Sequence, residues 1–149
     1  MIEVPALLWQ LPALMKEADF VSLGTNDLMQ FLFAADRGTP ALANRYDLLS
    51  APVLDVLDSI AAAAKEGSVE LSVCGEHASR PLEAMVLAAM GITVLSMPAA
   101  SLLRVKSVLR GVDLAALRAV LTTLRRASSG EASLREPIVS WAREHGHIA

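Results

Sequence analysis

The hydrophobic residues of the chain fall into short continuous runs that alternate with stretches of helical spacing. Runs of apolar and β-branched residues bounded by turn residues are typical of buried strands, whereas apolar residues three or four positions apart predict helices. The predicted strands cover Ile2 to Val4, Asp19 to Leu23, Val69 to Cys74 and Ile92 to Met97. The predicted helices cover Ala6 to Met15, Leu28 to Ala35, Pro52 to Ala64, Pro81 to Met90 and Ala100 to Arg110.

Two more helices are predicted near the C-terminus, from Asp113 to Ala127 and from about Leu134 to His145. Asp113 is a favourable N-cap residue, and the arginines at the end of that helix suit its negative C-terminal dipole. The segment Ser128-Ser129-Gly130 resembles a linker, but it is too short to mark a domain boundary. We therefore expect residues 1–149 to form part of one domain.

The order of strands and helices predicts an α/β fold with a parallel sheet, because parallel neighbours need a crossover and each crossover here is helical. A complete (β/α)8 barrel takes ~250 residues, and the four strand-to-helix units occupy about 100. They represent about half of a TIM barrel or a small open sheet, and the pattern leaves both open.

The composition is more apolar than is usual for soluble proteins, with 54% hydrophobic residues, 19% charged residues and a mean hydropathy of +0.46. A parallel sheet under helices uses such apolar strands, and so does a fragment whose hydrophobic face belongs against a partner. The longest nearly apolar stretch, Ala84 to Ala100, is shorter than the ~20 residues of a membrane span. We therefore expect no transmembrane helix.

Charge, the single cysteine and the N-terminus exclude several classes of protein. Thirteen Lys and Arg against sixteen Asp and Glu give a net charge of −3, and no basic cluster is combined with aromatic residues, so nucleic-acid binding is not expected. Cys74 is the only cysteine, which excludes an internal disulfide and fits a reducing cytoplasm. Met1 precedes a strand-like segment without basic residues, so we expect no signal peptide and interpret the start as a truncation.

Polar side chains follow three of the predicted strands at their C-terminal ends. They are Glu3, Asn26, Asp27, Cys74 and Glu76. In barrels and in open parallel sheets this edge carries the active site. The sequence therefore predicts that these side chains share one site.

The two carboxylates of this group admit two interpretations. An unpaired carboxylate is costly in an apolar strand, so Glu3 needs a partner. Glu3 and Asp27 could supply two oxygen ligands to Mg²⁺, which commonly takes one or two carboxylates together with water and phosphate oxygens. An ion pair between Glu3 and a lysine or arginine is an equally good interpretation.

The remaining candidates are also open to a structural explanation. The segment Gly24 to Asp27 reads as a turn that caps a helix, and a helix start can also hold a phosphate. Arg37 is either a solvated charge or a fork for phosphate oxygens. Cys74 is by base rate a small buried hydrophobe, although the following glycine at a strand end permits a reactive role. His77 is predicted as a loop residue, and the exposed His145 and His147 receive no role.

Four sequence blocks together resemble the signature of the phosphoenolpyruvate-utilising enzymes. The blocks are Met1 to Pro5, Ser22 to Gln30, Ala35-Asp36-Arg37 and Cys74-Gly75-Glu76. They are most similar to enzyme I, the phosphoenolpyruvate-protein phosphotransferase of the bacterial phosphotransferase system, including its nitrogen-related branch. The resemblance covers the chain clearly to about Arg110, and it implies the C-terminal half of a TIM barrel followed by C-terminal helices. It also implies that the first four strands, two phosphate-binding arginines and the phosphohistidine domain are missing.

The resemblance implies a function and a role for five residues. Enzymes of this family use Mg²⁺ to transfer phosphoryl from phosphoenolpyruvate to a histidine of a mobile domain and on to a phosphocarrier protein, in the cytoplasm, and they form homodimers. By position, Glu3 and Asp27 match the metal ligands, and Asn26, Asp27 and Arg37 match the substrate-binding residues. Cys74 matches the acid that protonates the enolate to pyruvate, since a thiol with a pKa of ~8.5 carries its proton at neutral pH.

Other interpretations remain at this stage. His77 departs from the usual enzyme I pattern and matches pyruvate phosphate dikinase, so a domain of the dikinase or phosphoenolpyruvate synthase type is an alternative. The fragment is expected to be catalytically deficient alone, because the arginines are missing. It could instead serve mainly as a dimerisation module, since a half-barrel leaves sheet edges uncovered. A small open-sheet protein unrelated to phosphoenolpyruvate would require the four blocks to be coincidental.

Overall fold

The computed structural model describes residues 1–36, 38–39, 42, 46–128 and 133–148. Three parallel strands form a small sheet in chain order, β1 (Phe20–Gly24), β2 (Glu70–Cys74) and β3 (Val94–Leu95). On the other side of β1, Ile2 forms an isolated parallel bridge to Leu23, with hydrogen bonds from Ile2 N to Ser22 O (2.8 Å) and from Gly24 N to Ile2 O (3.0 Å). The predicted order of parallel neighbours is confirmed, but the first and last predicted strands are shorter than expected.

Helices make up most of the described chain. The prediction of a mixed α/β fold is confirmed, and no helix within the described ranges is long and apolar enough to cross a membrane. The helices are α1 (Leu11–Glu17), α2 (Thr25–Leu32), α3 (Ala51–Gly67), α4 (Pro81–Ala89), α5 (Ala99–Leu109), α6 (Leu114–Ala127) and α7 (Arg135–Glu144), with 3-10 helices at Pro5–Gln10 and Glu76–Ser79.

The sheet packs on the helices with one of its two faces. In β1 and β2 the residues Val21, Leu23, Leu71 and Val73 are buried, and they alternate with half-buried or exposed residues except at Gly24, which is also buried. Because side chains alternate across a strand, the buried set faces the helices and the other set faces away from them. Helix α4 lies deepest in this core, since every residue from Leu82 to Ala89 is buried.

The start of α2 differs from the predicted turn. The helix begins at Thr25, and Gly24 occupies the N-cap position, where it has no side chain to act as a cap. The hydroxyl of Thr25 hydrogen-bonds to Cys74 at the end of β2 and to His77 in the 3-10 helix beyond it. The predicted cap at Asp113 is confirmed, because its carboxylate accepts hydrogen bonds from the amides of Ala115 (2.9 Å) and Ala116 (3.0 Å).

A buried carboxylate ties the C-terminal helix to the core. Glu83 in α4 is 2% exposed, and it accepts a hydrogen bond of 2.8 Å from Arg135 at the start of α7. Arg135 also donates two hydrogen bonds of 2.8 Å to Asp47, and these bonds raise the pKa of Arg135. Burial raises the pKa of Asp47, but hydrogen bonds from Arg135, Leu49 and Ser133 outweigh burial, so the pKa lies below its ordinary value. The network gives the buried charge of Glu83 the partner that it requires.

Candidate active site at the carboxyl ends of the strands

A cleft of about 400 Å³ opens where the three strands end. Asn26 reaches it from the first turn of α2, and Cys74 and Glu76 reach it from the end of β2 and the segment beyond. The lining consists of Asn26, Cys74, Gly75, Glu76, Ser79, Ser96, Met97 and Pro98. Three of the predicted residues therefore share one cleft, and the residues after β3 join them although they were given no role from the sequence.

Neither Glu3 nor Asp27 belongs to the described lining of this cleft, although Asp27 directly follows Asn26, which lines it. Asp27 is half-buried in the first turn of α2, where the helix dipole favours a negative charge. Glu3 is half-buried next to Gly24, which ends β1. Arg37, which was also predicted to bind the substrate, lies outside the described residues.

The carboxylate of Glu3 covers the backbone of Gly24. A β-carbon on residue 24 would lie 2.5 Å from both Cγ and Oε1 of Glu3, so a side chain there would force the flexible side chain of Glu3 to move. Within the described parts of the chain, Glu3 forms no ion pair with a lysine or arginine, so the simple pairing that the sequence left open is not found there. The Glu3 side chain is thus placed over the end of β1 without an ion pair among the described residues.

Register connects Glu3 with Cys74. Gly24 and Cys74 are partners in the parallel ladder between β1 and β2. Neighbouring residues in register point to the same face of a sheet, so the side chain of Cys74 points to the face on which Glu3 covers Gly24. Carboxylate and thiol thus lie on one face, at the ends of adjacent strands.

The sulfur of Cys74 has two hydrogen-bond neighbours on the adjacent strand. The hydroxyl of Ser22 donates to Sγ at 3.5 Å, and Sγ donates to the carbonyl of Leu23 at 3.6 Å. Both contacts are long, as is usual for the weak donor and acceptor that a thiol provides. Cys74 is half-buried and not sealed in the core, which departs from the base-rate interpretation.

The turn after Cys74 packs tightly against the start of α2. Gly75 has φ = 113°, and a β-carbon there would lie 2.9 Å from Oγ1 of Thr25. That Oγ1 donates to the carbonyl of Cys74 at 3.3 Å and lies 2.9 Å from Nδ1 of His77. Burial lowers the pKa of His77, and the positive charge of Arg80 lowers it further. The loop role predicted for His77 is therefore incomplete, since its ring belongs to the hydrogen bonds that hold this turn.

Three carboxylates lie at or near this edge among the described residues, Glu3, Asp27 and Glu76, and the first two are the predicted metal ligands. No group of three or more His, Cys, Asp or Glu side chains gathers in the described residues in a way that would hold a metal. A transition-metal site with several nitrogen or sulfur ligands therefore does not fit the described chain. Mg²⁺ fits better, because it accepts one or two carboxylates and completes its shell with water and phosphate.

Comparisons with known proteins agree on one family. Residues 1–114 match the PEP-binding domain of the PEP-utilising enzymes. A protein of Escherichia coli named phosphoenolpyruvate-dependent phosphotransferase system is 42% identical over 115 residues, which cover 77% of this chain and 15% of that protein. A phosphoenolpyruvate-protein phosphotransferase of Streptomyces coelicolor is 40% identical over 131 residues, covering 88% of this chain and 24% of the relative. The chain thus spans a quarter or less of the length of these relatives.

Proposed function

Since this chain belongs to the PEP-utilising enzymes, we propose that it forms part of the phosphoenolpyruvate site of a phosphoenolpyruvate-protein phosphotransferase. The observation that carries this proposal is the common face of Glu3 and Cys74 at the ends of adjacent strands. The reaction needs a proton donor close to a metal ion that neutralises the charge of the phosphoryl group. Cys74 would be the proton donor, and Glu3 would be a ligand of the metal ion.

Glu3 and Asp27 would hold Mg²⁺ in the proposed site. Their oxygens match the ligands that this ion prefers, and Glu3 is without a described ion-pair partner. When bound, Mg²⁺ neutralises negative charge on the phosphoryl group and its leaving oxygen. Asn26 lines the cleft, and its side-chain amide would donate to a phosphate oxygen. Arg37 is proposed for the same task on the resemblance alone.

Cys74 would act as the proton donor. When the bond between phosphorus and the enol oxygen breaks, phosphoryl passes to a histidine nitrogen and enolpyruvate remains. The thiol gives its proton to the methylene carbon of enolpyruvate, which becomes the methyl group of pyruvate, and the thiolate recovers a proton from water. The sulfur is suited to this step because it is half-buried and lines the cleft.

The remainder of the reaction would depend on parts that this chain does not contain. Parallel strands in chain order, with one face turned away from the helices, are what the second half of a (β/α)8 barrel would provide. We propose that the other half, the phosphorylated histidine and the contact with a phosphocarrier protein lie outside residues 1–149. A cytoplasmic homodimer, expected from the resemblance, remains part of this proposal.

The test is calorimetric binding of phosphoenolpyruvate with and without Mg²⁺. Binding should require Mg²⁺ and weaken ~10-fold or more in Glu3→Gln and in Asp27→Asn, as expected for the loss of a charged ligand. Glu66→Gln is the matched control, because Glu66 is an exposed carboxylate at the end of α3, near the start of β2, whereas the cleft lies at the other end of that strand. Mg²⁺-independent binding, or equal affinity in all three variants, would contradict the proposed site.

A second measurement addresses Cys74 and does not need turnover. As the only cysteine, Cys74 reports the site through its alkylation rate. Phosphoenolpyruvate with Mg²⁺ should slow alkylation of the folded chain, whereas phosphoenolpyruvate without Mg²⁺ should have little effect. An unchanged rate under saturating ligand would place the thiol away from the substrate and remove it from the mechanism.

A further inference from the structure

The hydroxyl of Thr25 lies between two partners, Cys74 at the end of β2 and His77 in the 3-10 helix that follows. Thr25 is 1% exposed, so water cannot satisfy its hydroxyl. Its Oγ1 lies 3.3 Å from the carbonyl oxygen of Cys74 and 2.9 Å from Nδ1 of His77. A hydroxyl has a single proton to donate and can also accept. Both contacts are satisfied at once only if Thr25 donates to Cys74 and His77 donates to Thr25.

This arrangement assigns the proton on the histidine ring. Burial and the charge of Arg80 lower the pKa of His77, so the ring is neutral at pH 7 and carries one proton. Glu76, Glu83 and Asp47 act in the opposite direction, but burial outweighs them. The carbonyl of Cys74 can only accept, so the ring proton belongs on Nδ1.

We propose that a hydrogen-bond chain from His77 Nδ1–H through Thr25 Oγ1–H to the carbonyl of Cys74 makes Thr25 and His77 positioning residues for the Cys74 thiol. This inference rests on the proposed function of Cys74. His77 is outside the described lining of the cleft, so it acts through Thr25 and does not touch the substrate.

The turn needs such a restraint because of the residue at its centre. Gly75 adopts φ = 113°, a conformation that is open to glycine and strained for other residues. Without a β-carbon, the backbone of Gly75 approaches Thr25 closely, but glycine alone does not hold the peptide in one conformation. The bond to the Cys74 carbonyl fixes the start of this turn and with it the sulfur, which otherwise has only weak contacts to Ser22 and Leu23.

The first test reads the ring proton directly. Nitrogen-detected NMR of ¹⁵N-histidine-labelled protein at pH 7.5 should show His77 with a protonated Nδ1 and an unprotonated Nε2. The signal is assigned by its loss in His77→Asn. The opposite tautomer, with the proton on Nε2, would overturn the proposal. Thr25 would then donate its proton to His77, and the Cys74 carbonyl would lose its hydrogen bond from Thr25.

The second test reads the thiol. Thr25→Val keeps the shape of the side chain and removes the hydroxyl, and His77→Leu removes the ring donor. Each should raise the alkylation rate of Cys74 about threefold to tenfold at fixed pH. This is the change in the population of the exposed thiol that the loss of one hydrogen bond would cause. Thr25→Ser and His77→Asn each restore a donor and should return the rate to within about twofold of the native chain.

The outcomes separate this inference from the proposed function. If the four variants share one alkylation rate while phosphoenolpyruvate still protects Cys74, the hydrogen-bond chain is refuted and the site stands. If Thr25→Val and His77→Leu react faster and the rescues hold, but phosphoenolpyruvate does not protect the thiol, the positioning is confirmed and the function is refuted. Circular dichroism melting of each variant confirms that a faster rate comes from the folded protein.

Discussion

The side chain of Glu3 occupies the space in which Gly24 would carry a β-carbon, at 2.5 Å from that position. The relationship explains why a glycine ends β1 at this point. It also means that the position of a carboxylate depends on the absence of a side chain on the neighbouring strand. The absence of a side chain on Gly24 thus determines where the Glu3 carboxylate lies.

Gly24→Ala should therefore weaken Mg²⁺ binding without changing the ligands. The methyl group would push the flexible Glu3 carboxylate aside, so we expect about a tenfold loss of Mg²⁺ affinity by calorimetry, comparable with removal of a charge-assisted contact. Gly111→Ala is the control, because the nearest atom to a β-carbon at residue 111 is 3.9 Å away. Equal affinity in both variants would show that the ion does not use Glu3.

Gly75→Ala should reduce the stability of the whole fold. The alanine would adopt φ = 113° with its β-carbon 2.9 Å from the Thr25 hydroxyl oxygen, so strain and a steric conflict coincide. We expect the free energy of unfolding to fall by about 1–3 kcal/mol in urea titrations. A change below about 0.5 kcal/mol would mean that the turn relaxes easily, and it would argue against a rigid thiol.

The locally encoded elements could be predicted from the sequence. Helix α3 and strand β2 have strong periodicity and clear boundaries, and both were predicted to within a few residues. Strand β3 was predicted too long, because an apolar run reports burial and not ladder pairing. Ile92 is fully buried, yet only Val94–Leu95 pair with β2.

The sequence predicts which residues lie at the candidate site, but not the hydrogen bonds that hold them in position. Residues at strand ends could be identified because parallel strands align their carboxyl ends. The contact between Thr25 and His77 joins positions 52 residues apart, and no local pattern contains that information. The same is true of Glu83, which reads as an ordinary helix carboxylate but is buried against Arg135.

Arg135→Met should destabilise the protein more than the loss of a surface ion pair. Among the described residues, the carboxylate of Glu83, with a side chain 3% exposed, would then keep an ion pair only with Arg80 at 3.8 Å. We expect a loss of about 2–3 kcal/mol in chemical unfolding, since an uncompensated buried charge is costly. The control Arg118→Met removes a more exposed pair with Asp58 and should cost about 1 kcal/mol or less. Similar losses in both variants would contradict the importance of burial.

His77 should make stability depend on pH. Its folded pKa lies below the ordinary 6.5, so the unfolded chain takes up a proton first as the pH falls. The contribution of His77 to the free energy of unfolding is fully present above pH 6.5, decreases as the pH falls from 6.5 through the folded pKa, and is constant below it. Urea unfolding between pH 7.5 and 5 should show a steeper decline for the native chain than for His77→Asn. Parallel curves would mean that the ring is already solvated.

The pairing of Asp47 with Arg135 joins positions 88 residues apart. A loop of that length closes at an entropic cost that only the assembled core can offset, so docking of α7 is expected to be a late event in folding. Until then Glu83 remains hydrated and α4 lacks its final cover. In unfolding, α7 is therefore expected to detach first. The amide protons of α4 would then exchange with solvent before the whole protein unfolds.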